Sequence, residues 1–127
     1  MSISERITAI AQQHLPEALR HLHMLVDINS FTVNAAGVDA VAARTAELFA
    51  ELGFEAELSS CATESTGKHA FMRRRGHGGD PIVLVTHSDT VFPAEEEVKN
   101  GFRWDERPDE GRIYGPGVID NKGGTIL

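Results

Sequence analysis

PIVLVTHSDT, residues 81–90, is the stretch whose reading decides the fold. Ile82-Val83-Leu84-Val85 is an unbroken apolar run closed by Thr86. A run with no polar alternation is the pattern of a strand buried on both faces. It predicts a sheet covered by helices and so a layered α/β domain. The run then changes character. His87 and Asp89 are two apart, so an extended backbone projects both to the same side. Ligand sites in α/β sheets gather at the carboxyl ends of strands. A metal-bound imidazole needs its second nitrogen held by an acceptor, and a His-x-Asp triplet supplies ligand and holder together.

Upstream, the spacing of apolar residues predicts helices. Residues 2–14 read as one short helix. Pro16 suits the first turn of the next, where its missing N–H is not needed. Leu19, Leu22, Leu25, Val26 and Asn29 would share a face of that second helix. His21 and His23, two apart on a helix, point in different directions, and with His14 they are read as structural. Val38, Val41, Ala42, Thr45, Leu48, Phe49 and Leu52 mark a second stripe. Asp39 is expected in the first turn of that helix, and Gly53 in a left-handed turn at its end. From Phe54 the period falls to two, which predicts a half-buried strand over residues 54–59 and another over 68–74. Residues 76–80 read as a turn and the acidic tract at 94–97 as a solvated loop.

Bulk properties narrow the function. The chain has 127 residues, enough for one domain. Its net charge of −7 argues against a nucleic-acid surface. Arg73-Arg74-Arg75 is the single basic cluster and reads as a solvated edge. One cysteine, Cys61, excludes an internal disulfide framework. No stretch approaches the roughly 20 apolar residues of a membrane span, and the N-terminus lacks the apolar core of a signal peptide. A cytoplasmic protein is the expectation.

The other loaded stretch is GPGVIDNKGG, residues 115–124. Gly115-Pro116-Gly117 lets the backbone turn sharply ahead of Asp120. The spacing fits neither a P-loop nor a dinucleotide fingerprint. A carboxylate held by a tight turn suits a cation instead. Its two oxygens can bridge two ions about 3.5–4 Å apart, the separation found in two-metal hydrolases.

Together, VLVTHSDTVFP and GRIYGPGVIDNKGG resemble the zinc aminoacyl hydrolases that include glutamate carboxypeptidase, acetylornithine deacetylase, succinyl-diaminopimelate desuccinylase and aminoacylase. That family carries His-x-Asp after an apolar strand and then Gly-x-Gly-x-x-Asp-x-Lys-Gly-Gly. The resemblance is close from Val83 to Gly124 and looser over the rest of the chain. It implies a layered α/β/α catalytic domain of the zinc exopeptidase kind, with residues 1–127 as its N-terminal portion and the dimerisation domain absent. It implies that His87 binds one zinc, that Asp120 bridges two, and that Asp89 is the catalytic-site carboxylate steadying the His87 ring. It also implies a cis peptide bond after Asp120. The implied cofactor is zinc, two ions in the complete enzyme, with cobalt or manganese as alternatives. The implied substrate is a small peptide or N-acyl amino acid, and the implied full-length enzyme is a homodimer.

The same family needs a Glu-Glu pair, a further acidic ligand and a late histidine after the bridging aspartate. Only seven residues follow Asp120. The chain is therefore expected to be an N-terminal fragment that is inactive alone. The alternative is a non-catalytic α/β interaction domain that keeps a remnant of the metal loop.

Overall fold

The computed structural model of the chain describes residues 1–62 and 66–127. Its first element, α1 (Ile3–Val26), is one continuous helix where the sequence predicted two. A capping box starts it: the Ser2 hydroxyl accepts from the Glu5 N–H at 3.2 Å, and the Glu5 carboxylate accepts from the Ser2 N–H at 2.6 Å. Pro16 lies inside the helix rather than in a first turn. Proline removes one N–H from the ladder. Strong helix formers on both sides, among them Gln13, Leu15, Ala18 and Leu19, carry the helix through it. Past Pro16 the helix supplies core: Leu22, Leu25 and Val26 are buried. Asn29 lies beyond the helix end, not on its face.

Helix α2 (Ala35–Ala50) begins at Asn34, whose side chain accepts from the Gly37 N–H at 3.2 Å. Val38, Val41, Ala42 and Thr45 are buried, Leu48 and Phe49 are half-buried, and Leu52, beyond the helix, is exposed. Gly53 adopts φ 82° as expected, with its N–H on the Ala50 carbonyl at 2.9 Å. Asp39 is not in the first turn. Its carboxylate accepts the Lys68 N–H at 2.7 Å and so ties α2 to the following hairpin.

That hairpin is β1 (Glu55–Ser60) with β2 (Lys68–Arg73), antiparallel, with Glu55 opposite Arg73 and Ser60 opposite Lys68. The alternation in β1 does not produce a half-buried strand: Ala56 and Leu58 are both exposed. Two strands beside one helix leave most of their surface open to water.

The expected buried strand is absent. Ile82, Val83, Leu84 and Val85 are 88%, 78%, 85% and 87% exposed, and residues 82–86 pair with no strand. A run of this kind becomes a buried strand only when neighbours take its backbone hydrogen bonds and helices cover both faces. Among the described residues nothing does either. The whole chain exposes 9414 Å², against about 6,600 Å² for a compact monomer of its mass. The structure is mixed α/β with two small two-stranded sheets.

The acidic tract is not a loop. It forms α3 (Ala94–Asn100), whose first turn holds Glu95, Glu96 and Glu97, the end where the helix dipole favours anions. A second antiparallel hairpin follows, β3 (Asp105–Arg107) and β4 (Arg112–Tyr114), joined by a 3₁₀ turn over Pro108–Glu110. Helix α4 (Lys122–Ile126) closes the chain against α1. No helix among the described residues is long and apolar enough to cross a membrane.

The turn into α4 has no room for side chains. A Cβ on Gly123 would meet the Val118 carbonyl oxygen, and one on Gly124 would meet Asn121 Oδ1. We expect Gly123→Ala to lower stability by ~2–4 kcal/mol in chemical denaturation. A variant as stable as the parent would show that this turn yields freely.

Candidate metal centre

The stretch around His87 is held by the loop after α1, not by a sheet. Thr90 donates its N–H to the Ser30 carbonyl at 2.8 Å, and Thr32 donates its own to the Thr90 carbonyl at 3.0 Å, which makes a parallel bridge at Phe31 and Thr90. The Ser30 hydroxyl donates to the Ser88 carbonyl at 2.8 Å, and the Asn29 amide to the Phe92 carbonyl at 3.0 Å. Polar side chains of one loop thus register the other.

Against this frame the second hairpin delivers Gly115-Pro116-Gly117 and then Asp120. His87 Nε2 lies 2.7 Å from Asp120 Oδ1, across 33 residues of sequence. Nδ1 of the same ring lies 3.0 Å from the Asp89 carbonyl oxygen and 3.2 Å from Asp89 Oδ1. The Asp120–Asn121 peptide bond is cis. His87, Asp89 and Asp120 line an open cleft of about 320 Å³, walled by Phe92, Phe102, Tyr114 and Val118. Phe92 and Phe102 meet edge to face, ring centres 4.8 Å apart.

The other histidines stand elsewhere. His21 faces Glu17 at 3.9 Å, His23 stacks on Trp104 with centres 4.4 Å apart, and His69 sits beside Phe71 in β2. His14 and His77 are exposed.

Partial burial of the His87 ring favours its neutral form, but the Asp120 hydrogen bond, the Asp89 carbonyl and the charges of both carboxylates together outweigh it. The pKa rises above the ordinary 6.5. With an acceptor at each nitrogen, the metal-free ring is suited to the imidazolium form. The raised value means that the pairing stabilises the fold below pH 6.5 and that this contribution is lost as pH climbs through the folded pKa. NMR titration of the metal-free chain should place the His87 midpoint above 6.5, and Asp120→Asn should lower it. An unchanged midpoint in that variant would contradict the contact.

Two site residues have no role assigned from the sequence. Lys122 stands in the Asp-x-Lys-Gly-Gly part of the motif with no function attached to it, and it is 1% exposed. Its Nζ donates to the Leu25 carbonyl at 2.7 Å and the Ile28 carbonyl at 2.8 Å. The Leu25 carbonyl at the end of α1 also receives the Ile28 N–H at 3.3 Å, so the amine is its second donor. Gly117 lies against the Lys122 methylenes, where an added Cβ would approach to 3.0 Å. Thr32, in the loop, donates its hydroxyl to Asp89 Oδ2 at 2.6 Å. A neighbour 57 residues away leaves no periodic trace.

As donors, an imidazole nitrogen and a carboxylate at a cleft wall fit a zinc ion in kind. They fall short of it in number, since a zinc ion takes four ligands. Among the described residues no group of three or more histidine, cysteine, aspartate or glutamate side chains is placed to hold one ion.

The α/β chain thus sets a histidine and a distant aspartate together at a cleft. Along its length it is similar to hydrolytic enzymes. No family model matches the chain. It is 31% identical over 117 residues to carboxypeptidase G2 of Pseudomonas sp. (strain RS-16), a match covering 92% of this chain and 27% of that protein. It is 35% identical over 85 residues to the acetylornithine deacetylase of Vibrio parahaemolyticus, covering 63% of this chain and 20% of that protein. The acetylornithine deacetylase of Photorhabdus laumondii is 36% identical over 75 residues, 58% of this chain and 18% of that protein. The chain is thus a relative of carboxypeptidase G2 and acetylornithine deacetylase, the hydrolytic enzymes that its two motifs resemble. It spans about a quarter or less of the length of these relatives.

Proposed function

We propose that residues 1–127 carry part of the centre of a zinc-dependent amide hydrolase, of the carboxypeptidase or N-acyl amino-acid deacylase kind. The observation that carries this is the 2.7 Å approach of His87 Nε2 to Asp120 Oδ1 at a cleft. His87 and Asp120 would hold a metal ion, which would supply polarisation of a substrate carbonyl and acidification of a water. Asp89 accepts a hydrogen bond from Nδ1–H of His87 and so leaves Nε2 as the ligand atom. The apolar walls formed by Phe92, Phe102 and Val118 exclude water beside the reacting bond. We further propose that the chain forms the N-terminal portion of a layered α/β/α catalytic domain, with a homodimer as the complete enzyme.

The shortfall in ligands among the described residues favours a second reading, a non-catalytic interaction domain that retains the loop. Calorimetry separates the two. Hydrolase ancestry of the cleft predicts that N-acetyl amino acids bind the zinc-loaded chain and do not bind the zinc-free chain or His87→Ala. Binding indifferent to zinc and to His87 would sink the metal centre and favour the second reading.

A further inference from the structure

Asp89 is placed to hold the His87 ring, but a carboxylate on a loop holds nothing unless it is itself held. The structure shows what holds it. Thr32 Oγ1 lies 2.6 Å from Asp89 Oδ2 and 3.2 Å from the Thr90 carbonyl oxygen. A hydroxyl has one proton to give. The Thr90 carbonyl already receives the Thr32 N–H at 3.0 Å, and the carboxylate is the nearer and charged acceptor, which makes the stronger bond. The proton therefore goes to Asp89. This bond occupies Oδ2 and leaves Oδ1 for His87 Nδ1, 3.2 Å away. The bridge between Phe31 and Thr90 fixes Thr32 beside Asp89 through the backbone, so the hydroxyl is delivered by register rather than by chance rotation.

We propose that Thr32 is a positioning residue: its hydroxyl clamps the Asp89 carboxylate so that His87 keeps its proton on Nδ1 and turns Nε2 into the cleft. The contacts run from Thr32 to Asp89 to His87 to Asp120. The metal consequence rests on the metal-centre reading above, whereas the effect on the ring does not.

The test uses Thr32→Val and Thr32→Ser in the whole chain. Valine keeps the branched shape and the backbone bridge and removes only the hydroxyl. Serine restores it. The first readout is the tautomer of His87 in the metal-free chain with Asp120→Ala as background, which removes the competing carboxylate 2.7 Å from Nε2. It is read from imidazole nitrogen NMR shifts at a pH where the ring is neutral. Thr32→Val should shift population from the Nδ1–H to the Nε2–H form, and Thr32→Ser should return it. The second readout is zinc affinity by competition with a chromogenic chelator. Loss of an outer partner of a ligand typically weakens metal binding 10–100-fold, and that is the loss expected for valine, with serine within a few-fold of the parent. Denaturation of each variant shows whether the fold is intact. An unchanged tautomer ratio in Thr32→Val overturns the inference, whatever the metal does. Zinc affinity unchanged in His87→Ala defeats the metal-centre reading instead and leaves the tautomer result to decide the role of Thr32.

Discussion

Replacing Lys122 by alanine should destabilise the chain by ~3–5 kcal/mol. The side chain is fully enclosed and its amine supplies the partners of two carbonyls at the end of α1. The Ile28 carbonyl left unpaired costs about 1–3 kcal/mol, the Leu25 carbonyl loses one of its donors, and the vacated stem adds a cavity under Gly117. Lys122→Met refills the stem and should cost less, since only the amine's two hydrogen bonds are lost. The two variants also differ from the parent in pH dependence. Burial pushes the Lys122 pKa down to about 8 from 10.5, against the opposing pull of Glu97 and Asp27. The neutral amine still has two N–H groups for two carbonyls. Between pH 8 and 10.5 the unfolded chain holds a proton that the folded chain lacks, so stability rises with pH across that window. The rise should approach about 3 kcal/mol. The difference between parent and Lys122→Met, followed by urea denaturation from pH 7 to 10.5, isolates it. A difference that stays flat across this window would show that the amine is not buried as described.

The second large effect is on metal. His87→Ala and Asp120→Ala each remove one of two converging donors, and zinc affinity should fall at least ~100-fold in either, more than for loss of an outer partner. Asp120→Asn keeps the shape but gives up the charge and the second ligating oxygen, so it should fall between the alanine variant and the parent. Because both donors are needed, the double variant should be little worse than either single one. Additive losses would indicate two independent sites. The same loading experiment should find the 127-residue chain with little or no chelator-sensitive release of amino acid from N-acyl or peptide substrates. General-base catalysis is typically worth 10²–10⁴-fold, and no base is assigned among the cleft residues. Robust turnover would mean that one of them had been overlooked.

The site was more legible than the fold around it. His87 and Asp120 announce themselves because a polar triplet after an apolar run, and an acid in a glycine-rich turn, are costly patterns that packing alone does not require. The α2 stripe was legible because its period is local. The burial of residues 82–86 is not legible for the converse reason. A run of apolar residues states what it needs, a covered sheet, but not whether covering neighbours are at hand, and here the described residues leave it in water. Pro16 misled because proline at a first turn and proline carried inside a strong helix look alike in sequence. The acidic tract was taken for solvated loop, although three glutamates after Pro93 are also what a helix dipole favours in a first turn. The roles of Lys122, a residue of the glycine-rich motif, and of Thr32 are not legible in the sequence. Their partners are carbonyls and a carboxylate far along the chain, and long-range polar contacts have no period to read.

The most direct test of the central claim is the zinc anomalous signal in crystals of the chain grown with the metal. The account predicts density about 2.0–2.2 Å from both His87 Nε2 and an Asp120 carboxylate oxygen, with Asp89 still on the far side of the imidazole. Zinc bound only at His14, His21, His23, His69 or His77, or no ordered zinc while His87 and Asp120 remain in contact, would contradict it.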